Sequence, residues 1–348
     1  MSSPLFTPLT LRGLTLPNRI ALSPMLMYMA GDDGCVTERH FVHYGARALG
    51  GCGLIMTEVV AVDPAGRISD QDLGLWCDEQ VAGLRRVVDF VHDCGAAFGV
   101  QLAHAGRKAK LRTPPVAPSA VAYADDFATP LALTAADLDR LRANYRAAAR
   151  RALDAGVDLI EIHAAHGYLL HSFLAPLSNR RDDAWGGSLE GRARLVLEVV
   201  TAVREVWPAE RPLAVRLTAR DFVDGGVTTE EGLWLATRLA EAGVDLIDVT
   251  TGNLVPGHAA PVYPGYQVQY AERVRAATGC AVATVGSLAS ADLMEEILGA
   301  GRVDLVCVGR ELIRNPNWPI ECARRAGVDL ALAIPTYARA TGPYERGF

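Results

Sequence analysis

Short runs of apolar and β-branched residues alternate along this chain with longer stretches in which apolar positions recur every three to four residues. The runs are Arg19–Met25, Gly53–Val62, Ala97–Ala103, Asp158–His163, Leu213–Thr218, Asp245–Thr250, Ala281–Gly286 and Asp304–Gly309. Near-continuous apolar runs of this length are what strands covered on both faces look like. Between them, Asp78–Cys94 places Val81, Leu84, Val87, Val88 and Val91 on one helical face. Thr134–Asp154 opens with Thr134 and Asp137 at capping-box spacing, and Thr228–Ala242 opens on a Thr-Thr-Glu-Glu cap. Cys94-Gly95, Ala155-Gly156 and Ala242-Gly243 each precede a strand, where glycine suits a left-handed helix C-cap.

Eight β/α units in succession predict an α/β fold of the (β/α)₈ TIM-barrel type, with residues 1–348 as one domain. The competing open doubly wound sheet usually begins with a G-x-G-x-x-G turn after its first strand, and none occurs there. Residues 5–18 alternate weakly around Leu11-Arg12-Gly13-Leu14 and predict a hairpin that caps the barrel bottom. Two long loops, 104–133 after the third strand and 164–188 after the fourth, are expected to rise from the catalytic face.

Composition narrows the function. A chain of 348 residues with 50% hydrophobic positions suits one barrel with a large core. The net charge of -6 offers no basic face, so nucleic acid is not an expected partner. No stretch approaches about 18 uninterrupted apolar residues, so no membrane span is expected. The seven cysteines are scattered without a C-x-x-C pair. That spacing predicts free thiols in a reducing cytoplasm and argues against a structural zinc or an iron–sulfur cluster.

The carboxyl ends of barrel strands carry the chemistry. Here they present Pro24, Met25, Leu26 and Tyr28, then Glu58 and Val59, then Gln101, His104, Arg107 and Lys108. The fourth run leads into His163, His166 and Tyr168, the fifth carries Arg216, and the last two end at Gly286 and Gly309-Arg310. Two glycines after the seventh and eighth strands, with an adjacent arginine, fit a phosphate site. Arg216, inside an apolar strand, needs a partner: a salt bridge to Glu58 or Glu161, or a ligand that becomes anionic. His163 and His166, with His171 nearby, also invite a zinc site completed by Glu58 or His104. The arginines and Lys108 at the same mouth suit an anionic cofactor better than a divalent cation, so no metal is expected.

These residues together resemble the old yellow enzyme family of FMN-dependent barrels, and in particular its short-chain bacterial subgroup. The likeness runs from Leu5-Phe6-Thr7-Pro8 through Asn18-Arg19-Ile20 and Ser23-Pro24-Met25 to Gln101-Leu-Ala-His104-Ala-Gly-Arg107-Lys108. It continues with His163-Ala-Ala-His166-Gly-Tyr168, the stretch Phe173–Ser188, Gly309-Arg310-Glu311-Leu312 and the terminal Tyr344-Glu345-Arg346-Gly347. The resemblance implies that Ser23, Pro24, Met25, Leu26, Val59 and Gln101 line the flavin ring and that Arg216 stabilises its reduced form. Gly286, Gly309 and Arg310 would hold the phosphate. His163 and His166 would grip a substrate oxygen, Tyr168 would donate a proton, and Tyr28 would wall the pocket. Arg346 would enter a neighbouring subunit's site, which implies a homodimer or homotetramer.

The implied activity is NAD(P)H-dependent reduction of an activated C=C bond in a small-molecule substrate. Alternatives are another reaction on the same flavin, such as nitro-group reduction or oxidative demethylation, and a metal-dependent barrel hydrolase. The chain departs from the subgroup at Leu26, where a cysteine is usual, and at Val59, where alanine is usual.

Overall fold

The computed structural model describes residues 3–257 and 260–335. Eight parallel strands close on themselves: β1 Ile20–Leu22, β2 Leu54–Ala61, β3 Ala97–Ala103, β4 Leu159–Ala164, β5 Leu213–Thr218, β6 Leu246–Thr250, β7 Ala281–Thr284 and β8 Leu305–Val308. The ring closes because β1 pairs with both β2 and β8, through Ala21 opposite Leu54 and Cys307 opposite Ala21. A two-residue strand, Leu73–Gly74, adds to the end of β2. Every residue of β2, β3, β4, β5, β6 and β8 is buried, as continuous apolar runs require.

The main outer helices are α1 Glu38–Leu49, α2 Glu79–Asp93, α3 Ala135–Asp154, α4 Leu189–Arg204, α5 Thr229–Glu241, α6 Val268–Thr278, α7 Ala291–Gly299 and α8 Trp318–Ala326. Thr134 and Asp137 form the reciprocal capping box, and Thr228 does the same with Glu231. Gly95, Gly156 and Gly243 take positive φ after their helices, as their positions in the sequence predict.

β1, β2, β6, β7 and β8 are shorter than their apolar runs. β1 stops at Leu22 because Pro24 has no N–H to donate to a ladder, and Ser23–Tyr28 leaves as an extended segment. In β2, Thr57 and Glu58 together face only Val100 of β3, a bulge that sets Val59 opposite Gln101. The two long loops carry structure of their own. Residues 104–133 contain a 3₁₀ turn at Gly106–Lys108 and a paired Val116–Ala117 and Leu131–Ala132, and 164–188 contains a helix at Leu169–Leu174.

The predicted hairpin is present, with Leu9–Leu11 antiparallel to Leu14–Leu16. Its Leu9, Leu11 and Leu16 pack with Leu54, Leu159, Leu246 and Leu305 at the amino ends of the strands, closing the barrel bottom. Arg12 turns the hairpin at φ 51° and bonds Asp245 at 2.6 Å, while Gly13 N–H donates to the Glu210 carbonyl at 2.9 Å. Leu16 is fully buried in this plug. Leu16→Ala should therefore cost about 2–5 kcal/mol, measured by reversible denaturant unfolding. A loss below about 0.5 kcal/mol, the range of an ordinary surface change, would mean that the hairpin does not seal the barrel.

Candidate active site

At the end of β4 the chain turns sharply to present three polar rings. His163 is the last buried polar side chain of the strand. His166 takes φ 59°, a left-handed conformation held by two bonds: its N–H to Thr218 Oγ1 at 3.1 Å, and its Nε2 against Thr250 Oγ1 at 2.9 Å. The next residue, Gly167, donates its N–H to His171 Nδ1 at 2.7 Å, and His171 Nε2 lies 3.1 Å from Asp221 Oδ2. An Nδ1 that accepts carries no proton, which leaves Nε2 as the nitrogen that donates to Asp221. His171 thus fastens the turn instead of joining a metal site.

Ring centroids of His163 lie 5.2 Å from His166 and 5.0 Å from Tyr168, both edge-to-face. The Ala165 N–H reaches His163 Nδ1 at 3.3 Å, which leaves Nε2 as the protonated nitrogen. Burial, then the Arg216 charge, holds both imidazoles well below the usual histidine range, so they are neutral at physiological pH. Burial, followed by Tyr28, pushes the Tyr168 phenol above its ordinary value, so it keeps its proton. Among the described residues no third histidine, cysteine or carboxylate joins His163 and His166 in a metal-binding group.

Lys108 lies over this turn. Its Nζ donates to the His166 carbonyl at 3.0 Å and sits 4.8 Å from the Tyr168 ring and 4.5 Å from the Tyr123 ring. Arg107 beside it spans from Ala122 O at 3.2 Å to Leu254 O at 2.7 Å, tying the third loop to the sixth. Tyr28 stands exposed at φ 53°, and the neighbouring Met27 N–H is held by Glu58 Oε2 at 2.9 Å.

The buried charges pair differently from the sequence expectation. Arg216 Nε faces Asp248 Oδ2 of the adjacent strand at 3.1 Å, with Glu161 a further source of negative potential. Burial opposes the Arg216 charge, but the two carboxyls more than offset it and raise its pKa. Glu58 is not its partner: the β2 bulge accompanies a turn of Glu58 toward α1, where His40 Nε2 lies 3.0 Å away. His104 accepts from Gly106 N–H at 3.0 Å within the 3₁₀ turn and joins neither Glu58 nor the His163 pair. Asp248 was missed although its signal equals that of Arg216: one charge inside the apolar run Leu-Ile-Asp-Val-Thr.

Beside His166 lies a cavity of about 480 Å³. Ser23, Met25, Arg216, Gly286, Gly309 and Arg310 line it, and Arg310 reaches Ser287 Oγ at 3.4 Å. A Cβ on Gly309 would meet Met25 Sδ at 3.1 Å, and Gly286 has φ 125° with Tyr266 Cε1 2.9 Å from where a Cβ would stand. Gly286 therefore requires glycine, while at Gly309 a side chain would have to displace the Met25 sulfur. Val59 and Gln101 pair across β2 and β3 but do not line the cavity; Pro24 and Leu26 belong to the half-buried segment after β1. Arg346 and Tyr344 lie outside the described residues.

The model of the NADH:flavin oxidoreductase / NADH oxidase family matches residues 4–326. The chain belongs to that family. It is an enzyme, an oxidoreductase of a family whose cofactor is FMN. The NADPH dehydrogenase of Geobacillus thermodenitrificans (strain NG80-2) is 47% identical over 349 residues, covering 100% of this chain and 99% of that protein. Morphinone reductase superposes with a TM-score of 0.80 at 33% identity, over 97% of this chain and 93% of that one. An old yellow enzyme homologue from Zymomonas mobilis gives 0.78 at 26% identity, over 96% of each. The likeness to old yellow enzyme read from the motifs is borne out, and with it the parallel barrel.

The residues present fit FMN. Gln267 Oε1 and Thr251 Oγ1 are buried beside the cavity without a hydrogen-bond partner, which leaves polar atoms for a ligand. Arg310 and the two glycines supply charge and close backbone approach for a phosphate. Thr251, Tyr266 and Gln267 were not singled out in the sequence, because they follow a strand end in a loop without periodicity.

Burial, then Arg107, lowers the Lys108 ammonium to about 8, against about 10.4 in an unfolded chain. Between those values the unfolded state holds a proton that the folded state has released, so folding stability rises with pH across the window. Denaturation midpoints of wild type and Lys108→Met, compared from about pH 7 to 10.5, should show wild type gaining on the variant. Parallel curves would mean that the ammonium titrates at its ordinary value.

Proposed function

We propose that this chain is an ene-reductase, using NAD(P)H to reduce the activated C=C bond of α,β-unsaturated carbonyl or nitro compounds. The observation that carries the reading is the His163–His166–Tyr168 group: two neutral imidazoles and a phenol that keeps its proton, with His166 lining a cavity of about 480 Å³. FMN bound in that cavity would supply the hydride chemistry between NAD(P)H and the alkene. Ser23 and Met25 of the cavity wall would meet its ring, which in this reading would extend past that wall toward Pro24, Leu26, Val59 and Gln101. Arg216 offsets negative charge gained on reduction, and Gly286, Gly309 and Arg310 hold the phosphate.

The protein's own residues then polarise and protonate the substrate. His163 Nε2–H donates to the substrate's carbonyl or nitro oxygen. His166 joins it as a donor when the Thr250 hydroxyl donates to Nε2 and the ring proton rests on Nδ1. Two such donors stabilise charge that develops on that oxygen and lower the barrier to attack at the β-carbon. Tyr168 gives its phenolic proton to the α-carbon and recovers one from solvent. Tyr28 walls the open side. All seven cysteines are free, which suits the cytoplasm. We further read the enzyme as a homodimer or homotetramer in which Arg346 completes a neighbour's pocket.

Leu26 favours a second reading, in which the same flavin runs nitro-group reduction or an oxidative demethylation. Leucine offers no S–H to the cofactor or substrate. Leu26→Cys should raise the midpoint potential of the bound flavin, and equal potentials would remove any tuning role for this position.

Purified protein should be yellow and release FMN on denaturation. NADPH should bleach it anaerobically, and 2-cyclohexenone should then restore the colour; no recolouring would favour the oxidative alternative. Tyr168→Phe should slow enone turnover by about 10²–10⁴ while flavin reduction by NADPH changes by less than a few-fold. Equal loss in both steps would remove Tyr168 as the proton donor.

A further inference from the structure

Beneath the cavity, four neighbouring strands each send one polar side chain into the barrel: Gln101 from β3, Glu161 from β4, Arg216 from β5 and Asp248 from β6. All four are at most 5% exposed. Gln101 stands directly opposite Glu161 in the ladder, and its Nε2 donates to Glu161 Oε1 at 2.6 Å. Arg216 stands opposite Asp248, with Nε 3.1 Å from Oδ2. Two carboxyl groups therefore share one guanidinium in a dry interior. Burial, then Asp248, pushes the Glu161 carboxyl up to about 8, although Arg216 and Gln101 pull the other way. Well-packed apolar side chains at such sites are often as stable or more stable. The layer therefore calls for a role beyond stability.

We propose that Glu161 and Asp248 are a positioning pair, which from below the cofactor sets the direction of the Gln101 carboxamide and the place of the Arg216 guanidinium. The inference rests on the reading that Gln101 and Arg216 meet FMN. A carboxamide has a donor end and an acceptor end, and its direction follows from the hydrogen bonds around it. Glu161 Oε1 engages the Nε2 end, so the Oε1 end of Gln101 is left to meet a ligand as an acceptor. Asp248 engages Arg216 at Nε, which leaves the two terminal nitrogens as donors beside the cavity that Arg216 lines. The pair presents one acceptor and one cationic fork in fixed positions, with neither carboxyl itself lining that cavity.

A double-mutant cycle on FMN affinity tests the first half, with wild type, Glu161→Gln, Gln101→Leu and the double variant titrated with FMN. Titrated at about pH 9, above the Glu161 pKa of about 8, Glu161→Gln should weaken FMN about tenfold, as loss of a hydrogen bond involving a charged group can, and should shift the visible bands of the bound flavin. In the Gln101→Leu background the same substitution should change the dissociation constant by less than about twofold. An equal effect in both backgrounds, or unchanged affinity and spectrum, overturns the positioning role. If Glu161→Gln does not fold, Asp248→Asn tests the second half: the midpoint potential of the bound flavin must move, and an unchanged potential overturns the proposal. A wild-type protein that binds no FMN overturns the proposed function as well, whereas wild-type binding without coupling overturns this inference alone.

Discussion

Closure of the sheet is the constraint on which the rest of the molecule depends. β8 hydrogen-bonds to β1 through Val306, Cys307 and Val308 opposite Ile20, Ala21 and Leu22, and Ser23 N–H extends the ladder to Val308 O at 3.0 Å. A closed ring has no free edge. It also brings the carboxyl ends of strands far apart in sequence to one mouth. Ser23 and Gly309, from the first strand and the last, thereby line one cavity with Arg216 from the fifth. The hairpin at the opposite end fills the interior that the ring would otherwise leave open, so chemistry is confined to one face.

The mouth is organised by the cost of burying charge. Arg216 enters the barrel only with Asp248 and Glu161 beside it. Its positive potential, added to desolvation, keeps His163 and His166 neutral. Neutral imidazoles can each donate from one nitrogen while the other is engaged by the protein. Lys108 is held at the rim, where it braces the His166 turn and covers the Tyr168 ring. Cationic groups thus surround the turn without making its donors cationic, a suitable environment for a ligand that is itself an anion.

Much of this was legible along the chain. All eight strands, the hairpin and the glycine caps followed from periodicity and from the residues that only certain backbone conformations accept. The motif set around His163, Gln101 and Gly309 indicated the family that the matched residues bear out. What failed were pairings. Glu58 looked as available to Arg216 as Glu161 did, until the bulge at Thr57 and Glu58 turned it toward His40. Asp248 meets Arg216 only through the register of β5 with β6, which neither apolar run specifies on its own.

The sequence by itself determined which residues could form buried strands, where helices start and stop, and which polar groups stand at strand ends. These are local matters, decided by side-chain period, capping chemistry and backbone sterics within a few residues. Only the tertiary structure decided that Asp248 pairs with Arg216, that His171 fastens a turn instead of joining a metal site, and that Thr250 orients His166. Those choices depend on strand register and on one bulge, which set distances between groups tens to hundreds of residues apart. A one-residue change in register reverses which side of a strand faces the core, and no local pattern in the chain encodes it.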